Sequence, residues 1–399
     1  MSDILLTYGW VRSSYGALRN LSDHGLDVSI SDSSIIGMSQ FSKYSKSFDK
    51  YVSHYEDEEI FVQNILDICD KRGVSLIFPS HNETEILARH KDRFPKNLTK
   101  ILPDADLCEL FNNKAKAYDL CSTLGIPVPK RIQYSDPNTI VEILSKSGIQ
   151  KSVIKLLTGN SSKGVFYAEN PNDAQNLVMQ LIEVHGLVPN RYPQIEEYID
   201  GDGFGCSVLY SEGRFIAHFT HKRLRDKIAT GGTSTFRVSA EHKGIEDATK
   251  KIFDHVGWNG LAMCEFKVCQ RTGKFWFIEI NPRMWGSISL AIQAGVEFPY
   301  LAWLSSKNGV EAALEYHQAS KLKFGWKARW LLGDLFVVLD KIVRLKFREG
   351  WSVIRRERAD SIDDFFWDDP FVFIGEALAY LIRVLSKRNI NPADKGMIR

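Results

Sequence analysis

Met263-Cys264-Glu265-Phe266-Lys267, followed after the turn Arg271-Thr272-Gly273-Lys274 by Phe277-Ile278-Glu279-Ile280-Asn281-Pro282-Arg283, holds the densest chemistry in the chain. Two β-prone runs on either side of a short polar turn predict an antiparallel hairpin. Alternation with period two puts Glu279 and Asn281 on one face, and the tight turn brings Glu265 alongside. Two carboxylates and an amide oxygen form an oxygen-only donor set that suits Mg²⁺, which completes its octahedron with water and phosphate oxygens. Glu265, Glu279 and Asn281 are therefore the expected metal ligands. Arg283, two residues past Asn281, is expected beside them as a cationic fork for a carboxylate or phosphoryl group. Taken alone, the stretch fits an ordinary hairpin with exposed acids equally well.

Working outward, Lys155 lies on the run Val153–Leu157, just before Thr158-Gly159-Asn160-Ser161-Ser162-Lys163 and a second strand, Gly164–Tyr167. One cation and a loop of small residues with free backbone amides, including Ser161, Ser162 and Gly164, match the needs of a polyphosphate. A plain hairpin loop accounts for the same residues. Further on, Gln194-Ile195-Glu196-Glu197-Tyr198-Ile199-Asp200-Gly201-Asp202-Gly203 leaves a strand for a glycine-rich turn. A strand end with Glu196, Glu197 and Ile199 supplies the acceptor and backbone groups that an adenine requires, and Asp202 can accept from ribose hydroxyls. Glu197 and Asp200 also fit a solvated acidic turn.

Taken in order, Lys114 (in Asn112-Asn113-Lys114), Lys155, Glu196 with Ile199, Glu265, Glu279 and Asn281 resemble the ATP-grasp superfamily over roughly residues 105 to 305. The runs His221-Lys222-Arg223-Leu224-Arg225-Asp226-Lys227, Gly231-Gly232-Thr233-Ser234-Thr235 and Ile280-Asn281-Pro282-Arg283-Met284-Trp285-Gly286-Ser287 narrow the likeness. They are similar to predicted carboxylate-amine ligases related to the carbamoyl-phosphate synthase large subunit. The resemblance implies ATP and Mg²⁺ as cofactors, with two ions expected and Mn²⁺ able to substitute. It implies an amide-forming ligase that works through an acylphosphate and joins a small-molecule, glycan or peptide carboxylate to an amine such as an amino acid. Arg283, Lys222 and Arg225 become the catalytic cations, with the γ-phosphate contact open among Lys222, Arg223 and Arg225. The family often has Glu where Asp202 stands. Substrate contacts are expected from Gly232, Trp285 and Ser287, and from Arg12 and Ser13, because ligands of open α/β sheets sit outside the carboxyl ends of the strands. Two rival readings are a non-catalytic nucleotide-binding scaffold and an enzyme that phosphorylates or carboxylates without forming an amide.

The 399 residues, 44% hydrophobic and 25% charged with a net charge of +2, exclude disordered and low-complexity classes and lack the footprint of a nucleic-acid binder. Six cysteines without a CxxC pair read as reduced thiols, and the opening residues lack a basic n-region, so a cytoplasmic protein is expected. His24, His54, His81, His90 and His185 are scattered without metal spacing, and His218 and His221 would face opposite sides of one strand. The first hundred residues alternate strand and helix, which predicts a parallel sheet; Tyr8–Gly16 is not GxGxxG, so no dinucleotide site is expected there. The expected fold is an α/β pre-ATP-grasp domain with a parallel sheet (1–104), then an α+β ATP-grasp domain in two lobes (105–192 and 193–315), then a mostly helical C-terminal extension (316–399). Within that extension, residues 321–358 carry eleven Lys/Arg against four Asp/Glu, a local net of +7, interleaved with tryptophans. This pattern fits helices packed on the body, or a peripheral position on the inner membrane face with a lipid-linked substrate. A dimer is compatible with the resemblance, and the sequence leaves the oligomeric state open.

Overall fold

Ile4–Leu6 (β1), Val28–Asp32 (β2), Ser47–Lys50 (β3) and Leu76–Phe78 (β4) form a parallel sheet in the order β3-β2-β1-β4. Arg12–Asp23 (α1), Glu58–Arg72 (α2) and Glu83–Arg89 (α3) connect and cover it. Ile4, Leu5 and Leu6 are wholly buried, as a strand covered on both faces requires. The edge strand β3 was not anticipated, because Ser47-Phe48-Asp49-Lys50 has no apolar run to announce it. The computed structural model describes residues 2–159, 164–228, 231–355 and 358–385.

The expected single helix over 105–124 is two, Ala105–Asn112 (α4) and Lys114–Thr123 (α5). Asn113 breaks it: its side chain accepts from the N–H groups of Ala115 and Lys116, both at 3.1 Å, and so caps α5. A small antiparallel sheet follows, ordered β5-β8-β6-β7 from Arg131–Ile132 (β5), Ser152–Lys155 (β6), Val165–Ala168 (β7) and Gln194–Glu197 (β8). Ile140–Ser147 (α6) and Pro171–His185 (α7) bury Ile140, Leu144, Val178 and Leu181 against Ile154 and Ile195.

The third sheet has seven strands. Asp202–Ser211 (β9), Arg214–Ile228 (β10), Gly231–Ser239 (β11), Gly260–Val268 (β12) and Phe275–Asn281 (β13) are joined by Lys327–Arg329 (β14) and Ser361–Ile362 (β15) in the order β13-β12-β9-β10-β11-β14-β15. Lys243–Val256 (α8), Ile288–Gln293 (α9), Phe298–Asn308 (α10) and Val310–Ala319 (α11) accompany it. Strand β11 covers a glycine-led stretch read as a motif rather than a strand. Beyond 316 lie Leu331–Val343 (α12), Phe347–Arg355 (α13) and Phe371–Leu385 (α14), but β14 and β15 also extend the large sheet from there. Strands of two or three residues are too short to show a periodicity.

One hydrophobic cluster joins the first domain, the large sheet and the C-terminal segment, with Ile4 and Leu18 from the first, Leu209 and Phe219 from the second, and Ala328 and Val372 from the third, while the small sheet keeps a cluster of its own. Acids on that segment pin it down. Asp369 accepts from Ser42 Oγ (2.6 Å) and Tyr15 Oη (3.2 Å), and Asp364 accepts from the N–H groups of Leu331 (2.9 Å) and Leu332 (2.8 Å) at the start of α12.

Candidate active site

The hairpin β12–β13 forms with Glu265 directly opposite Glu279 and Met263 opposite Asn281. Side chains paired this way in an antiparallel ladder are neighbours, so the two carboxylates share one patch of space. Burial, with Glu279 and Asp226 adding to it and Arg223 opposing, pushes the Glu265 carboxyl up to about 7. Arg223 donates to Glu265 Oε2 at 2.6 Å, Asn281 Nδ2 approaches Glu265 Oε1 at 3.4 Å, and Arg283 Nη2 donates to Asn281 Oδ1 at 3.0 Å. Burial lowers the Arg283 pKa, and Glu279 and Glu265 oppose that shift. Two facing carboxylates, one of them reluctant to ionise, with an amide oxygen beside them, are a donor set that a hard divalent cation would satisfy. Among the described residues no group of three or more His, Cys, Asp or Glu is arranged to hold a metal ion.

Across from this hairpin stand two lysines, Lys114 at the start of α5 and Lys155 at the end of β6 in the small sheet. The Asn113 cap starts α5 at Lys114, which is buried and donates from Nζ to Gly159 O at 2.9 Å. Burial lowers its pKa, and Glu279 is the strongest charge resisting that shift. Lys155, at the end of β6, is within 2.6 Å of Glu196 Oε2 on β8, and its Nζ donates to Ile278 O of β13 at 3.4 Å. Lys155 and Glu196 are both nearly inaccessible to solvent, and Gln194 donates to the other Glu196 oxygen. The Glu197 side chain accepts instead from the Lys130 N–H at 2.9 Å, which fastens β8 to the segment before β5. Ile199 is half-buried just beyond it. Gly164 opens β7 beside Leu156, whereas Ser161 and Ser162 lie outside the described residues.

The basic run on β10 fans out in three directions. Lys222 Nζ meets Asp202 Oδ2 at 2.5 Å, and Gln270 donates to the same oxygen at 2.7 Å. Partial burial works against the Asp202 charge, yet these two contacts hold its carboxyl below the usual range. Arg223 turns to Glu265. Arg225 turns away to Asp334 of α12, at 2.9 and 3.1 Å, so it is not among the groups gathered at the carboxylate pair. In the sequence Arg223 is only one of three alternatives, and the register shift directly after it hides which way it and Arg225 face.

At the other end of the site, Arg283 lies near Glu83 and Tyr55 of the first domain, both of which influence its charge. Glu83 is fully buried at the carboxyl edge of the parallel sheet and accepts from Thr7 Oγ1 (2.7 Å) and the N–H groups of Ser80 (2.9 Å) and His81 (3.1 Å) through Oε1. Among the described residues, Oε2 of Glu83 has no hydrogen-bond partner. No sequence signal singled Glu83 out. Arg12 starts α1 at the same edge and lies 3.7 Å from where a side chain on Gly286 would begin. Its guanidinium is held by Asp363 at 3.0 Å and stacks on Trp330 at 3.9 Å. Ser13 is buried on the next position, Trp285 is buried against Phe298, and Ser287 Oγ lies 3.4 Å from Nε2 of buried His221. Gly232 lies on β11, away from the hairpin that carries the carboxylates. The expected substrate residues therefore split: Arg12 and Ser287 line the junction, while Trp285 belongs to the core.

Residues 194–329 match a family model described as an ATP-grasp in the biosynthetic pathway with Ter operon. The D-alanine–D-alanine ligase of Fusobacterium nucleatum is 27% identical over 178 residues, covering 42% of this chain and 55% of that protein. Acetyl-CoA carboxylase 2 of Oryza sativa is 21% identical over 282 residues, covering 62% of this chain and 11% of that protein. The chain thus spans about half, or far less, of the length of these curated relatives. The biotin carboxylase domain of Hydrogenobacter thermophilus 2-oxoglutarate carboxylase, solved with MgADP, ADP and bicarbonate, superposes with a TM-score of 0.61 at 15% identity, covering 82% of this chain and 71% of that one. This last likeness is one of fold.

Proposed function

The chain carries an ATP-grasp domain, and from that premise we propose that it is an ATP-dependent ligase that joins a carboxylate to an amine through an acylphosphate, with release of ADP and phosphate. The observation that supports this most directly is the facing pair Glu265 and Glu279, flanked by Asn281 and Arg283, opposite the two buried lysines Lys114 and Lys155. Residues 105–192 and 193–315 act in this reading as the two lobes that close on the nucleotide.

Mg²⁺ held by Glu265, Glu279 and Asn281, with Mn²⁺ able to take its place, would neutralise charge on the transferring phosphoryl group. Lys114 from α5 and Lys155 from the small sheet counter the phosphate charge. The strand end at Glu196 to Ile199 meets the base, and Asp202 the ribose. The substrate carboxylate attacks the γ-phosphorus and expels ADP; Arg283 and Arg223 then hold the acylphosphate oxygens. An amine displaces the phosphate to leave an amide. Little covalent work falls to the side chains, so the rate rests on orientation and preorganised charge. The acceptor in this reading lies outside the carboxyl edge of the parallel sheet, where Arg12 and Glu83 would set the charge of its pocket.

The test is product analysis by mass spectrometry with Mg-ATP, pooled amino acids and pooled carboxylic acids, comparing the wild type with Glu279→Gln. Substrate-dependent ADP, phosphate and a new amide mass are expected, with a loss of about 10²-fold or more in the variant. ADP formation that depends on bicarbonate without any amide would assign a carboxylase instead. AMP with pyrophosphate would overturn the acylphosphate route.

A further inference from the structure

Fourteen of the twenty-one large hydrophobic side chains that stand exposed among the described residues lie between Leu335 and Leu385. Their sharpest concentration is the turn from α12 into α13. Helix α12 buries Leu332 and Val337 against the body, yet its other side carries Leu335, Leu339, Ile342 and Val343 in the open. A helix that is apolar on both sides needs a second apolar environment. At the apex, Val343, Leu345, Phe347 and Trp351 are 81%, 77%, 59% and 61% exposed. Leu345 has φ +58°, a left-handed conformation that a Cβ-bearing residue adopts at a cost, and it raises the most exposed leucine of the chain to the tip.

Cations alternate with these apolar residues: Lys341, Ile342, Val343, Arg344, Leu345, Lys346, Phe347, Arg348, with no acid among the eight. Acids stand only at the two ends, where Asp340 pairs with Arg344 (3.0 Å) and Glu349 with Lys341 (2.7 Å) and Lys346 (3.4 Å). We propose that this apex docks on an anionic membrane surface, with Leu345, Phe347 and Trp351 in the acyl boundary and Lys346 and Arg348 at headgroup phosphates. A second copy of the chain is the poorer occupant. A two-fold contact would set the net positive charge of the apex, four cations against Asp340 and Glu349, on itself, whereas anionic headgroups complement it. Among the described residues no helix is long and apolar enough to cross a membrane. The proposal stands apart from the ligase reading, and its readout involves no catalysis.

The test is flotation of the purified full chain with phosphatidylcholine vesicles, with and without phosphatidylglycerol. Binding is expected only with the anionic lipid and should fall as salt rises. Leu345→Glu should lower the bound fraction on the order of tenfold or more through the loss of buried apolar carbon. Leu345→Gly relieves the left-handed backbone while removing the same side chain, so it should fold at least as well and still bind less. Val184→Glu, at an exposed site elsewhere, should bind as the wild type does. Absence of flotation, equal binding to neutral vesicles, or full binding by both Leu345 variants would overturn the proposal. A concentration-dependent dimer abolished by Leu345→Glu, with no flotation, would overturn it in favour of self-association.

Discussion

Glu265 is where the local chemistry of this molecule is most finely balanced. Burial raises its carboxyl from the ordinary 4.5 to about 7, Arg223 pulls it down, and Glu279 and Asp226 push it up again. In the folded protein it therefore binds a proton more tightly than in the unfolded chain. Its contribution to stability without a cation is largest below the ordinary carboxylate value and is lost as pH rises through about 7. A divalent cation needs the ionised form, so affinity for MgADP should climb as pH is raised through about 7. Isothermal titration across that range would show it, and Glu265→Gln should flatten the dependence; an unchanged slope in the variant would place the titration elsewhere. That Glu265 lies alongside Glu279 was legible from strand alternation together with the tight turn between the two strands. The raised pKa of Glu265 was not, because burial and the approach of Arg223 come from other strands.

Strand β10 shows how one element redistributes charges that look equivalent in sequence. Arg223 and Arg225 are two apart and would share a face of a regular strand. Register shifts against β11 between Arg223 and Arg225, and again after Arg225, break that rule. One guanidinium then serves Glu265, and the other pairs with Asp334, which is also 3.2 Å from Arg329. Arg223→Ala should therefore lower kcat/KM for ADP formation by about 10²-fold, a loss of turnover well beyond any fall in unfolding midpoint from unpairing Glu265. Arg225→Ala should leave turnover largely intact and cost about 1–3 kcal/mol of stability by removing a partner of a buried carboxylate. Parallel steady-state kinetics and urea titrations separate the two, and the opposite pattern would restore Arg225 to the site. The long helix expected over 105–124 illustrates the same point: its composition is helical throughout, but Asn113 caps a new start and thereby aims Lys114. A strong N-cap in mid-run was the readable signal.

At the scale of the whole molecule, the C-terminal segment binds the first domain to the large sheet. Asp363 is fully buried between Arg12 of α1 and Arg237 of β11, and Asp369 reaches Ser42 and Tyr15. Asp363→Ala leaves two buried guanidinium groups short of their carboxylate, and a loss of about 3–5 kcal/mol is expected, read as a lowered unfolding midpoint. An unchanged midpoint would mean that solvent reaches the cluster. Strand–helix alternation in the first hundred residues was enough, by sequence alone, for the parallel sheet, since it follows from local periodicity, and the order of Lys114, Lys155, Glu196, Glu265, Glu279 and Asn281 pointed to the class of fold through its resemblance to ATP-grasp proteins. Tertiary structure alone decided which arginine faces the carboxylates, that Glu83 sits fully buried near Arg283, and that a basic, aromatic segment would both complete a sheet and leave an apolar apex uncovered. Those outcomes depend on contacts between residues far apart in the chain, 351 positions in the case of Arg12 with Asp363, and no local pattern encodes the partner of a side chain across that distance.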